Sequence, residues 1–144
     1  MTGPECVVAR ARDMIGVRWR HQGRKAWAVD CIGLVELALL HAAWPGAVYR
    51  PACYGREPWD DQLRAGMRQH FGEPITDAWS PGDVPLFRWN EGEPSHVGIL
   101  GNYLYGGVSI IHASSVRKQV IETGLSGRLL NCVIEVYRPK WGEA

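Results

Sequence analysis

The stretch Asp30-Cys31-Ile32-Gly33-Leu34-Val35 decides the fold class, because it sets a cysteine at the start of an apolar helix. From Gly33 to Ala43, leucine and alanine recur at helical spacing (Leu34, Leu37, Ala38, then His41), which predicts about three turns of helix. A thiol in the first turn lies where unpaired backbone N–H groups and the helix dipole favour negative charge. The expected state of Cys31 is therefore a stabilised thiolate, the nucleophilic form. Downstream, His96-Val97-Gly98-Ile99-Leu100 and Ile110-Ile111-His112-Ala113 each carry one histidine on a β-like run. A helix cysteine followed by two strand histidines is the layout of a cysteine hydrolase.

Working outward, Pro4 to Ile15 is expected to be helical, with Pro4 in the first turn, Glu5 beside the positive end of the dipole, and Gly16 as the stop. Val17 to Val29, rich in Arg, Gln, Gly and Trp, reads as a loop leading to the nucleophile helix. Trp44-Pro45-Gly46 ends that helix, Ala47 to Pro58 is an aperiodic surface connection, and Trp59 to Phe71 is predicted as a third helix. From Ser80 the character changes to short apolar runs divided by turns. Pro81-Gly82-Asp83 precedes Val84 to Phe87, Glu91-Gly92-Glu93-Pro94 precedes His96 to Leu100, and Gly106-Gly107 precedes Val108 to Ala113. Val116 to Glu122 and Cys132 to Tyr137 read as further strands, with Leu125 to Leu130 a short turn or helix between them. Helices first and strands after predict an α+β arrangement, a single domain over residues 1–144 with the nucleophile helix packed on a C-terminal antiparallel sheet.

A chain of 144 residues is long enough to bury a core, and a formal charge of +1 argues against a nucleic-acid partner. The cations Arg10, Arg12, Arg18, Arg20, Arg24 and Lys25 read as a solvated helix face and loop. Met1 to Arg12 lacks the apolar run of a signal peptide, and no span approaches the ~20 apolar residues of a membrane helix. Synthesis in the cytoplasm with no membrane partner is expected. The four cysteines form no Cys-x-x-Cys pair and are expected to stay reduced, with Cys6 and Cys132 as buried small hydrophobes.

A thiol nucleophile needs a base, and the base needs an orienting group. If the strands of His96 and His112 pair antiparallel, their imidazoles point the same way from neighbouring positions. His96 then takes the thiol proton and later protonates a leaving amine, while His112 accepts from its second ring nitrogen and holds the tautomer. A zinc site from Cys31, His96 and His112 is a rival reading, without the support of a paired-ligand motif.

The chain resembles the NlpC-like family of cell-wall cysteine peptidases, which have a compact papain-like fold. The resemblance is closest to the short branch encoded in phage and gene-transfer-agent tail clusters. It rests on Ile15-Gly16-Val17-Arg18-Trp19-Arg20-His21-Gln22-Gly23, Asp30 to Leu34, Pro81-Gly82-Asp83-Val84, Ser95-His96-Val97-Gly98-Ile99 and Ile111-His112-Ala113. It implies hydrolysis of a peptidoglycan stem-peptide bond, typically between D-γ-glutamate and the diamino acid, through a thioester on Cys31 and with no metal or organic cofactor. It makes Asp30 a candidate partner for the free L-alanine ammonium of the stem, the other reading of Asp30 being a helix cap. The backbone N–H of Cys31 is the natural first oxyanion donor. Trp19 stands where many members have a tyrosine that helps the oxyanion, and Ile32 where many have a serine, so an apolar group narrows or dries the pocket. The implied partners are stem peptides and phage tail proteins, with action at the cell wall after delivery in a particle or at lysis. Rival readings are an inactive tail protein that keeps the fold and a related amidase or acyltransferase. Trp44, Tyr54 and Trp59 are expected either to pack the helices or to form a docking surface.

Overall fold

The computed structural model describes residues 1–51, 54, 55 and 61–142. Cys53, Trp59 and the expected first residues of the third helix lie outside them. Helix α1 spans Gly3–Asp13, where the Thr2 hydroxyl accepts from Glu5 N (3.2 Å) and Pro4 occupies the first turn. Helix α2 spans Cys31–His41 and α3 spans Gln62–Phe71. Helix α2 begins ahead of the leucine pattern, because Asp30 rather than the apolar period fixes its start. Val7, Val8 and Ala11 of α1 are buried, as are Leu34, Ala38 and Leu39 of α2 and Leu63, Met67 and Phe71 of α3.

The expected loop from Val17 to Val29 instead holds three short strands, β1 (Arg18–Trp19), β2 (Arg24–Lys25) and β3 (Ala28–Val29). Two-residue strands are too short to show a period, so composition alone favoured a loop. The remaining elements are β4 (Val84–Arg88), β5 (Pro94–Val97), β6 (Ile99–Asn102), β7 (Val108–Ser114), β8 (Gln119–Gly124), α4 (Gly127–Asn131) and β9 (Val133–Tyr137). The strand expected from Val116 starts only at Gln119, and Val116 is 87% exposed in the preceding turn.

The strands form two sheets, one of six in the order β2-β3-β1-β8-β7-β6 and one of three in the order β5-β4-β9. The pairing of β1 with β3 is parallel, which departs from the expected antiparallel meander. A second departure matters more for the site. The single strand expected over His96 to Leu100 breaks at Gly98, so that β5 pairs with β4 and β6 pairs with β7. A Cβ on Gly98 would lie 2.6 Å from Ile110 Cδ1, 2.8 Å from the Ile111 carbonyl and 3.0 Å from His112 Cβ. The chain crosses between sheets where no side chain fits.

The Pro-Gly-Asp turn anchors the start of β4. Asp83 accepts from Ser80 N (2.7 Å) and from both Nε (2.9 Å) and Nη2 (3.0 Å) of Arg138, the planar fork that suits a carboxylate. Gly82 has φ +93°, and a Cβ there would meet Pro4 Cβ at 2.8 Å, so the turn also docks on α1. Ile99, Ile111, Leu86 and Tyr137 join the helix residues in one core. Among the described residues no helix is long and apolar enough to cross a membrane.

Candidate active site

Cys31 is the first residue of α2, and the residue before it sets its geometry. Asp30 is extended (φ −103°, ψ −170°) and 4% exposed. Its Oδ1 accepts from Gly33 N (2.8 Å), and its Oδ2 accepts from Gln22 N (2.9 Å) and from the Tyr54 hydroxyl. Of the two roles open to Asp30, the helix cap is therefore present in the structure. Backbone packing reinforces it, since a Cβ on Gly33 would sit 2.0 Å from the Gly23 carbonyl. The segment leading into the β2–β3 hairpin thus abuts the first turn of α2.

The sulfur environment corrects the expectation of a thiolate in isolation. Burial pushes the Cys31 thiol up to about 12 and the neighbouring Asp30 carboxylate adds to this, while backbone N–H groups of Val97, Ile32 and Cys31 pull the other way. The helix terminus does act on the sulfur, but desolvation and an adjacent anion outweigh it. An isolated thiolate at Cys31 is therefore disfavoured near neutral pH.

His96, the candidate partner, borders the same cleft as Cys31. His96 on β5 and His112 on β7 face each other with His96 Nε2 2.7 Å from His112 Nδ1 and ring planes at 79°. They are 9% and 8% exposed. Burial holds His96 down to about 3, with His112 adding to the effect, and burial holds His112 down to about 4. Both rings are neutral near pH 7. The expected route to this pair is wrong in detail, because β5 and β7 are not paired strands. The contact arises at the sheet crossover. Ile99 is in register with Ile111, and the break at Gly98 then turns His96 back toward His112.

Trp89 and Phe87 complete the surroundings of His96, each with a ring centroid 5.5 Å from the imidazole. Phe87 is fully buried and Trp89 is 40% exposed at the cleft. Sequence reasoning passed over Trp89, because it sits at the edge of a turn with no period to mark it. Tyr54 is likewise more than an exposed aromatic. It is half-buried, its carbonyl meets His21 Nε2 (3.0 Å) and Gln22 Nε2 (2.6 Å), and its hydroxyl binds Asp30. Trp44 packs in the core, 8% exposed, with its indole N–H on the Lys140 carbonyl (3.0 Å).

A cleft of ≈ 310 Å³ opens between these elements. Trp19, Asp30, Cys31, Ile32 and His96 all line it, together with Tyr49, Tyr54 and Trp89, whereas His112 lies behind His96. Ile32, 8% exposed, gives the wall beside the sulfur an apolar surface. Trp19 is half-buried, and the Lys118 ammonium lies 5.3 Å from its ring centroid. Cys6 and Cys132 are half-buried rather than buried and remain outside the cleft. Among the described residues no three His, Cys, Asp or Glu side chains are grouped to hold a metal ion. The arrangement places a thiol and a neutral imidazole on one cleft with a second imidazole bonded to the first, the set of groups that acyl transfer through a thiol requires.

No family model matches the chain, and no curated protein matches it. Solved structures do. NlpC2 from Trichomonas vaginalis aligns with a TM-score of 0.68 and 20% identity over 98% of this chain and 47% of its own. NlpC1 from the same organism aligns at 0.66 and 20% over 94% of this chain and 44% of its own. The chain thus spans less than half the length of either protein. An N-acetylmuramoyl-L-alanine amidase from Bacteroides uniformis ATCC 8492 aligns at 0.62 and 14% identity, covering 96% of this chain and 99% of its own. The likeness is one of fold: helices and curled sheets in a papain-like α+β arrangement.

Proposed function

We propose that this chain is a cysteine hydrolase of the NlpC/P60 type that cuts a peptide bond in the stem of peptidoglycan. The observation that carries the reading is the meeting of Cys31 and His96 in one cleft with His112 bonded behind the base. Papain-like neighbours that include a peptidoglycan hydrolase, SagA, and the Bacteroides amidase support the substrate class. The bond we assign is that between D-γ-glutamate and the diamino acid.

Because His96 Nε2 is engaged by His112, Nδ1 is the nitrogen left for the thiol. With Nε2–H donating to His112 Nδ1, the proton of Cys31 moves to His96 Nδ1 as sulfur attacks the γ-carbonyl carbon. The charges on sulfur and imidazole arise together, so neither has to exist alone in the buried site. The oxyanion forms beside the backbone N–H of Cys31, with Trp19 as a second candidate donor. Collapse breaks the C–N bond, and His96 returns the proton to the departing amine. Water then attacks the thioester, giving its proton to His96 and restoring the thiol. Asp30, already holding the helix start, is also the group we assign to the stem's L-alanine ammonium, and Ile32 narrows the cleft beside the sulfur.

The Bacteroides protein that aligns over nearly its whole length favours a second reading, in which the same attack falls on the N-acetylmuramoyl–L-alanine amide. We further assign the enzyme to a phage-type tail or its prophage relative, acting at the cell wall on delivery or at lysis. Incubating the protein and a Cys31→Ala control with defined stem peptides and muropeptides, followed by mass spectrometry, tests the reading. Cleavage after D-γ-glutamate that disappears in the control is expected. Cleavage only at the lactyl amide would select the second reading, and no cleavage of either by a folded protein would overturn both.

A further inference from the structure

Outside the cleft, one unexplained feature is the surface over β1 and β3, next to the edge strand β2. A shallow notch of ≈ 500 Å³ there is bordered by Arg18, Trp19, Arg20, Trp27 and Ala28. Trp27 is 73% exposed, an unusual position for an indole on a surface turn. Arg18 and Arg20 are exposed, and so are Lys25, Arg117 and Lys118 nearby in the sheet. Strand register brings the two stretches together, with Arg18 opposite Gln119 and Trp19 N bonded to the Lys118 carbonyl (2.9 Å).

The charge on this face is one-sided. Residues 14–29 and 114–121 contain no Asp or Glu. Among the described residues, Arg18, Arg20, Lys25, Arg117 and Lys118 take part in no ion pair, whereas Arg12, Arg24, Arg50, Arg64, Arg68 and Arg138 are all paired with carboxylates. Beside the exposed indole this face therefore carries five cations with no ion pair and no carboxylate in either stretch, in a chain whose formal charge is only +1. Trp19 borders both this notch and the catalytic cleft, so a polymer seated in one is led to the other.

We propose that this basic, indole-bearing edge is a second binding site, which holds the carboxylate-bearing saccharide–peptide polymer whose stem enters the cleft. The indole of Trp27 offers a flat apolar face to a sugar ring, and Arg18 and Arg20 offer planar donors to the carboxylates of neighbouring stems. The inference rests on the proposed function for the identity of the polymer. It adds that affinity for the intact wall is separable from cleavage of a free stem peptide.

The test uses sacculi purified free of teichoic acid, so that stem carboxylates are the anions present. Retention of the full-length Cys31→Ala protein on sacculi is measured at about 50 mM and about 500 mM salt, since added salt screens exposed charges. The same measurement is made with Arg18→Glu/Arg20→Glu and with Trp27→Ala in the Cys31→Ala background. Retention is expected to fall at least about tenfold for each variant and to weaken with salt. Stem-peptide cleavage by the same substitutions in the Cys31 protein should match the unsubstituted protein, which also shows that the variants fold. Unchanged retention on charge reversal would overturn the proposal. So would duplex DNA that displaces the protein from sacculi, which would make the edge a nucleic-acid site. If the protein binds sacculi through this edge yet cleaves no stem peptide, the functional reading fails while the binding site stands.

Discussion

In the proposed mechanism His112 holds the base, and replacing it by alanine removes that group. His96 Nε2 loses a partner at 2.7 Å in a place where the two side chains are 9% and 8% exposed, so water does not freely substitute. A buried donor left unpaired costs about 1–3 kcal/mol. If that cost falls on the transition state, where His96 must carry the thiol proton and keep its ring aligned, kcat/KM falls roughly five- to 150-fold. The loss should appear mainly in kcat, because His112 lies behind His96 and does not border the cleft. His112→Asn, whose amide oxygen can still accept from Nε2–H, should recover part of it. Initial rates on a defined stem peptide, measured beside urea denaturation midpoints, separate catalysis from folding. A folded His112→Ala protein that retains more than half of the unsubstituted kcat/KM would refute the orienting role.

Three other outcomes follow from the same geometry. Because burial holds the Cys31 thiol up to about 12, its reactivity near neutral pH depends on His96; His96→Ala should slow iodoacetamide labelling of Cys31 at least about tenfold, and equal rates would contradict the pairing. Both histidines are held neutral, at about 3 and about 4 against an ordinary 6.5. As pH falls below about 6.5 the unfolded chain therefore takes up protons that the folded one refuses, and each histidine removes up to about 1.4 kcal/mol of stability per pH unit. Urea denaturation near pH 7 and near pH 5 should show a smaller acid loss in the His96→Asn/His112→Asn double variant, and an equal loss would be inconsistent with buried neutral rings. Gly98→Ala forces a Cβ to within 2.6 Å of Ile110 Cδ1 and 2.8 Å of the Ile111 carbonyl, so it should cost about 1–3 kcal/mol and lower activity by shifting His112. A thermal melt unchanged from the unsubstituted protein would show that the crossover tolerates a side chain.

Much of this was legible from residues. The Asp30-Cys31 start of α2 was readable because a capping side chain before an apolar period has a local physical cause. The strands of the second half were visible for the same reason, each being an apolar run closed by a glycine or proline turn. What the sequence hid was long-range. The two-residue strand β1 pairs with β8 far along the chain, and β2 and β3 are each too short to show a period, so residues 17–29 look like a loop when read alone. The break at Gly98 is a property of two sheets meeting, and a run of apolar residues on either side conceals it. The two histidines meet at that crossover without any pairing of β5 with β7, so strand alternation alone does not predict their contact. The electrostatics of Cys31 went the opposite way from expectation, because a local dipole is readable from sequence and desolvation is not. Tyr54 stood out in the sequence only as an aromatic with no assigned partner, and Trp89 carried no signal. Their roles beside Asp30 and His96 come from chain segments that converge only in the folded molecule.

The central claim is that Cys31 forms a covalent thioester with its substrate. The direct measurement is an acid quench during turnover of a stem peptide, followed by intact-mass analysis and peptide mapping. The account predicts an adduct on Cys31 equal in mass to the acyl half of the cleaved peptide, absent in Cys31→Ala and accumulating when the second step is slowed. Turnover that proceeds at full rate in Cys31→Ala, or an acyl group mapped to any other residue, would contradict it.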